Sequence, residues 1–216
     1  WLEFDKDGRW DKRVFSSIKV LDVNSKKIIN NKLKGFFSSI DISPKGDEIV
    51  VLKNNLDGSQ SLMFYNTTLS KLFKEIKLNG GVYSSIKYDS AKRLIGLKTK
   101  NGIKDVFLYN ISKDTFKSIY KTTKNIGWPT FYDNNLVFST DYNGFEEIIL
   151  YDTKTEKTHK IDHKKLGGYY PFLSKDRKSL YYSSMGNFGF DVYKERIVIK
   201  DNEVNLKEVE SKDKEH

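Results

Sequence analysis

The chain contains no cysteine. Disulfides, thiolate metal ligands and a thiol nucleophile are therefore excluded. Proline and histidine are almost as scarce, at three residues each in 216. With so few histidines, a multi-histidine metal centre has little to draw on. No stretch approaches the ~18 consecutive apolar residues that a membrane-crossing helix requires, and no heptad pattern suggests long helices. The sequence as given shows no secretory-leader pattern, and its first residue is Trp1 rather than Met. This start reads as a processed or recombinant piece of a longer protein.

What is abundant is aromatic. Phe, Trp and Tyr make up 14% of the residues, led by 14 Phe and 13 Tyr. Together with Ile, Val and Leu they favour pleated strands. The net charge is +9, from 38 basic and 29 acidic side chains. A basic balance of this size raises the question of a nucleic acid or another anionic partner. The lysines, however, are spread singly along strands and turns, as on the wet edges of sheets. They are read as solvated surface, and no nucleic-acid partner is expected.

Five segments superpose at a nearly constant step. They begin at Ser17, Ser61, Asp105, Glu147 and Asp191, with spacings of 44, 44, 42 and 44. A period of this size, with four short strands per repeat, is the layout of a propeller blade. In the second period the strands are Phe36 to Ser43, Glu48 to Lys53, Ser61 to Asn66 and Lys71 to Leu78. Turn residues such as Pro44-Lys45-Gly46-Asp47 separate them. Continuous apolar second strands, Ile49 to Leu52 and Leu136 to Phe138, imply burial on both faces. The charged fourth strands belong at the outer rim. The first period is compressed into Trp1 to Phe4, Arg9 to Ser16, Ser17 to Asp22 and Lys27 to Ile29. The last period uses Tyr170 to Leu173, Ser179 to Ser184, Asp191 to Ile197 and a final strand near 198–206. The fold class expected is all-β: a propeller of about five four-stranded antiparallel blades. Its blades run approximately over 1–32, 33–79, 80–124, 125–165 and 166–206, followed by a polar tail over 207–216.

Three stretches carry a family resemblance. Ser43-Pro44-Lys45-Gly46-Asp47 resembles the Ser-Pro-Asp-Gly-Lys turn of the TolB-type β-propeller repeat. The stretch from Asp141 to Asp152 resembles that family's second turn and third strand. The stretch from Leu173 through Ser184 to Tyr193 is similar to propeller repeats in bacterial envelope proteins that carry an OmpA-like domain. Ala91-Lys92-Arg93 and Asp133-Asn134-Asn135 depart from the first turn. The resemblance implies a periplasmic or cell-envelope location, a protein or peptidoglycan-associated partner, and a ring that in this family usually has six blades.

Chemistry is harder to find. No Gly-x-Ser-x-Gly elbow is present. His159 and His163 flank a fourth strand and are expected to be exposed at the rim, without the spacing of a metal site. Gly80-Gly81 and Gly167-Gly168 precede strands rather than helices, so they read as tight turns and not phosphate loops. Paired carboxylates of a glycosidase kind could come only from Glu3, Asp41 and Asp89. Asp57, Asp141 and Asn143 lack the spacing of a calcium loop. No cofactor, no metal and no catalytic residue are expected.

What remains is a surface. In a propeller the loops entering first strands and those joining second to third strands lie on one face. Phe36, Phe37, Tyr83, Trp128, Tyr169 and Tyr170 should then surround the opening of that face. Tyr142, Asn143, Phe145, Asn187 and Phe188 should lie further out. Aromatics of this kind bury much area at low entropic cost and suit protein contact. The leading reading is a non-catalytic binding scaffold. The alternative is an accessory propeller of a larger peptidase, tricorn-like or prolyl-oligopeptidase-like.

Overall fold

The computed structural model describes residues 1–7, 10–142, 144–163, 167–174, 176 and 178–203. These residues hold strands and turns and no helix. Five antiparallel sheets follow one another along the chain. The first joins β1 (Leu2–Asp7), β2 (Trp10–Asp22) and β3 (Lys27–Gly35). The second joins β4 (Phe37–Ile42), β5 (Glu48–Asn54), β6 (Gln60–Asn66) and β7 (Leu72–Leu78). The third runs through β8 (Val82–Tyr88), β9 (Leu94–Lys100), β10 (Ile103–Asn110) and β11 (Thr115–Thr122). The fourth contains β12 (Gly127–Tyr132), β13 (Asn135–Tyr142), β14 (Phe145–Asp152) and β15 (Lys157–Ile161). The fifth contains β16 (Tyr169–Leu173), β17 (Ser179–Gly186) and β18 (Gly189–Arg196). A last strand, β19 (Ile199–Glu203), pairs with β15.

Burial follows hydropathy. Ile49, Val50, Val51 and Leu52 on β5 are all buried, as are Leu136, Val137 and Phe138 on β13. Both faces of these strands are covered, as their unbroken apolar runs require. The outer strand β7 leaves Leu72 and Phe73 exposed and buries Leu78.

The chain divides into two compact units, residues 1–98 with 109–115, and 99–108 with 116–216. In the first, Ile18, Phe37, Ile49, Val51, Met63, Tyr65 and Leu69 form a buried cluster joined by Leu2 and Val20. In the second, Val137, Ile148, Leu150 and Ile161 pack on Leu173, Leu180 and Tyr182. In each, one sheet's inner strand lies on the next sheet's inner strand: β4 beside β8, and β12 beside β16.

Side chains, not backbone ladders, fasten these neighbours. The Ser39 hydroxyl accepts the Ile86 N–H at 3.0 Å and donates to the Ile86 carbonyl at 3.1 Å. Asp41 accepts the Tyr88 N–H at 2.7 Å. The Gln60 amide accepts the Tyr83 N–H at 2.6 Å and donates to the Tyr83 carbonyl at 3.0 Å. In the second unit the Tyr132 hydroxyl accepts the Leu173 N–H at 3.2 Å. Inner-strand backbone groups facing a neighbouring sheet would otherwise be buried without partners, which is costly.

Two strand expectations are corrected. The strands expected over Arg9 to Ser16 and Ser17 to Asp22 are one continuous strand, β2, from Trp10 to Asp22, and Arg9 lies outside the described residues. Val14-Phe15-Ser16-Ser17-Ile18 offers no Gly, Pro or Asx to turn on, so nothing breaks the strand there. Of the strand expected near 198–206 as the fourth of the last blade, Ile199–Glu203 forms β19, which adds to the fourth sheet instead, and 204–206 lie outside the described residues. The cause is legible in the hairpin turns. Asp22 accepts the N–H groups of Asn24 and Ser25, Asn110 those of Ser112 and Lys113, and Asp152 those of Lys154 and Thr155. The equivalent residue of the fifth repeat is Arg196, which cannot accept a hydrogen bond. The chain passes on without a hairpin, and the Asp162 N–H bonds the Val198 carbonyl at 3.1 Å.

Candidate functional site

The inner strands β4, β12 and β16 each carry an irregularity where pairing slips against the second strand: between Phe37 and Ser39, Gly127 and Thr130, and Tyr169 and Phe172. Two residues then oppose one, which bends the strand and re-aims a side chain. At this place Trp128 has φ 48° and Tyr170 φ 53°. Left-handed backbone is rare for bulky residues, at roughly 1–2 kcal/mol each. Such strain persists only where the surroundings fix it, and it concentrates at ligand contacts.

The two strained aromatics of the second unit meet. The Trp128 and Tyr170 rings lie 3.9 Å apart between centroids, inclined by 37°. Tyr169 reaches Trp128 edge-on at 6.0 Å, and Phe190 stands edge-on to Tyr169 at 5.3 Å. Tyr170 and Phe190 stay 54% and 59% exposed, and Trp128 and Tyr169 are half-buried. The result is a continuous aromatic platform at the leading ends of β12, β16 and β18.

The remaining expected contact residues divide. Phe145 is half exposed and Phe188 fully exposed, with Asn187 also exposed and Tyr142 half-buried. Asn143 lies outside the described residues. In the first unit, Phe37 and Tyr83 are corrected from surface to core, with exposures of 4% and 6%. Phe37 fills the space beside Gly35, and the Gln60 clamp turns Tyr83 inward. Phe36 is half-buried and stacks on Phe15 at 5.1 Å. Phe190 belongs to the platform and was not anticipated. Its sign in the sequence was an aromatic just after the Gly186-to-Gly189 turn.

Next to the platform lies a buried polar group that also corrects an expectation. His163 is not at an exposed rim, since its side chain is only 3% exposed. Its Nε2 stands 3.0 Å from Glu147 Oε2, and Lys160 Nζ donates to Glu147 Oε1 at 2.7 Å. The His163 ring packs on Tyr182 at 5.2 Å. A Cβ at Gly168 would approach Ile148 Cδ1 to 2.6 Å and His163 Nε2 to 3.2 Å, so only glycine fits there. The Gly168 N–H donates to the Glu146 carbonyl at 2.7 Å. These contacts lock the start of β16, and with it Tyr169 and Tyr170, against β14.

Asp41 and Asp89, singled out above as candidate carboxylates, serve the fold. Asp89 is buried, bonded by the Arg93 guanidinium at 2.7 Å and by the N–H groups of Ala91 and Arg93. Asp41 serves Tyr88, and burial raises its carboxyl above the ordinary range. Both carboxylates thus hold turns and strands. Among the described residues no group of three or more His, Cys, Asp or Glu could hold a metal ion.

No protein-family model and no curated protein matches the sequence. Solved structures do match. TolB from Acinetobacter baumannii aligns with TM-score 0.68 and 13% identity, over 87% of this chain and 48% of that one. The fold is that of a TolB-type β-propeller. This chain spans about half the length of that TolB. The TolB-type fold is shared more widely. An oligogalacturonate lyase in complex with manganese aligns at TM-score 0.61 and 11% identity, over 88% of this chain and 54% of that one. A puromycin-hydrolyzing peptidase from Mycobacterium tuberculosis aligns at 0.59 and 12%, over 85% and 31%. At such identities the likeness establishes the fold and leaves the activity to the site itself.

Proposed function

We propose that this chain is a non-catalytic protein-binding scaffold of the bacterial cell envelope, periplasmic in location, that docks a partner on the platform of Trp128, Tyr169, Tyr170 and Phe190. The observation that carries it is the stacking of two half-open aromatics on left-handed backbone. The bulge accounts for the left-handed backbone, but packing gives no reason to place on it a Tyr that stays 54% exposed. A docked partner does, because central aromatic anchors dominate interface energies at ~2 kcal/mol or more each. The TolB-type fold and the repeat resemblance support the envelope assignment. A second reading, an accessory propeller of a peptidase, is favoured by the likeness to the puromycin-hydrolyzing peptidase, of which this chain covers 31%. In that role the same platform would hold peptide for a separate catalytic domain.

Tyr170→Gly separates contact from packing. Glycine relieves roughly 1 kcal/mol of left-handed strain, close to the ~0.5–1.5 kcal/mol of the lost ring stack. Melting should therefore stay near wild type while a partner captured from envelope extract is lost. Unchanged capture by a folded Tyr170→Gly protein would reject the platform as a docking site.

A further inference from the structure

The outer edge of β18 has no strand paired to it among the described residues, because β19 has gone to β15. This edge is apolar and open. Val192 is 76% exposed and Phe190 59%, and Met185 and Phe172 lie on the same sheet face, 62% and 54% exposed. Exposed edges of this kind are templates for another strand.

The geometry of the edge is specified. The Ile197 N–H bonds the Lys178 carbonyl on the β17 side. Pairing of β17 with β18 runs without a slip from Ser179 to Gly186. Backbone groups alternate between the two edges of a strand. Odd-numbered residues of β18 therefore face β17, and Phe190, Val192 and Lys194 present their N–H and C=O groups outward.

Charge then selects a register. A twofold axis at Val192 sets Val192 against itself, Phe190 against Lys194, and Asp191 against Tyr193. Moving the axis to Asp191 opposes two Asp191 carboxylates. At Tyr193 it opposes Asp191 to Glu195 twice, and at Lys194 it opposes two ammonium groups. Directly opposed like charges destabilise a strand pair. Only the Val192-centred register avoids them while every outward N–H and C=O from Phe190 to Lys194 finds a partner.

We propose that β18 is a self-pairing edge: two copies join antiparallel through β18 about a twofold axis at Val192, merging two three-stranded sheets into one. In this arrangement each Lys194 lies across the Phe190 ring of the other copy, a cation–π contact. The edge shares Phe190 with the docking platform, whereas Val192 and Lys194 lie outside it, so substitutions at 192 and 194 test the pairing alone.

The absence of cysteine makes the test clean. In the paired edge the two Val192 Cα atoms stand ~5.5 Å apart, as in a hydrogen-bonded antiparallel pair, within disulfide reach. Val192→Cys should give a covalent dimer on mild oxidation. Lys194→Cys should not, because its mate lies about four residues away along the strand, ~13 Å. Mixing Phe190→Cys with Lys194→Cys should cross-link the two. Light scattering of the unmodified chain should show twice the monomer mass, and Val192→Lys should restore the monomer mass while still melting in one cooperative transition, now independent of concentration. A monomer at every concentration, or equal cross-linking through positions 192 and 194, overturns the proposal.

Discussion

Asp89 shows how single residues serve the fold. Its side chain is 1% exposed and binds the Arg93 guanidinium, itself 34% exposed, while capping two N–H groups of the same turn. Removing the carboxylate leaves buried donors without acceptors. Asp89→Ala should lower stability by about 1–3 kcal/mol, the cost of leaving buried donors unpaired, as read from the denaturation midpoint. An effect under ~0.5 kcal/mol, the level of an ordinary surface change, would contradict this role. Residue chemistry of this kind was legible in part. Turn residues such as Pro44-Lys45-Gly46-Asp47 marked strand ends, because they favour turn backbone, whereas the Asx caps at 22, 110 and 152 show only in the structure. Nothing in the sequence alone separated Phe37 and Tyr83, which are core, from Trp128 and Tyr170, which are not. That distinction depends on a strand slip and a Gln60 clamp from another strand.

At the scale of elements, the β13–β14 hairpin carries a built-in cost. Asp141 and Glu146 face each other directly across the pair. Burial first, and then the Asp141 charge, hold the Glu146 carboxyl above its ordinary value of 4.5. The folded chain binds this proton more tightly than the unfolded chain. Its contribution is therefore most favourable below that ordinary value and is lost as pH rises through the raised one. Glu146→Gln should raise the melting temperature at neutral pH and leave it little changed in acid. A variant less stable than wild type at neutral pH would contradict the reading. The hairpin was visible in the sequence, and the like-charge pairing was not, because it needs the register. Gly168 makes a second test of this element. Gly168→Ala meets Ile148 at 2.6 Å and should cost roughly 1–3 kcal/mol, as overpacking does.

For the whole molecule, the period of about 44 residues carried the architecture. Repeating segments with four short strands and Asx turns left few alternatives to blades, and the aligned TolB structure has that fold. The exceptions fell where the repeat departs from itself. The compressed first period hid the 13-residue β2, and Arg196 in place of Asx sent β19 to the fourth sheet. The platform was half legible: Trp128, Tyr169 and Tyr170 were singled out as aromatics entering first strands, but their strain and their stacking come from the bulged inner strands. That strained platform is what the account asks a partner to recognise. The most direct measurement is capture from envelope extract by wild type and by Tyr170→Gly, with melting curves for both. The account expects matched melting and a partner retained by wild type alone. Matched melting with the same proteins retained by both would contradict it.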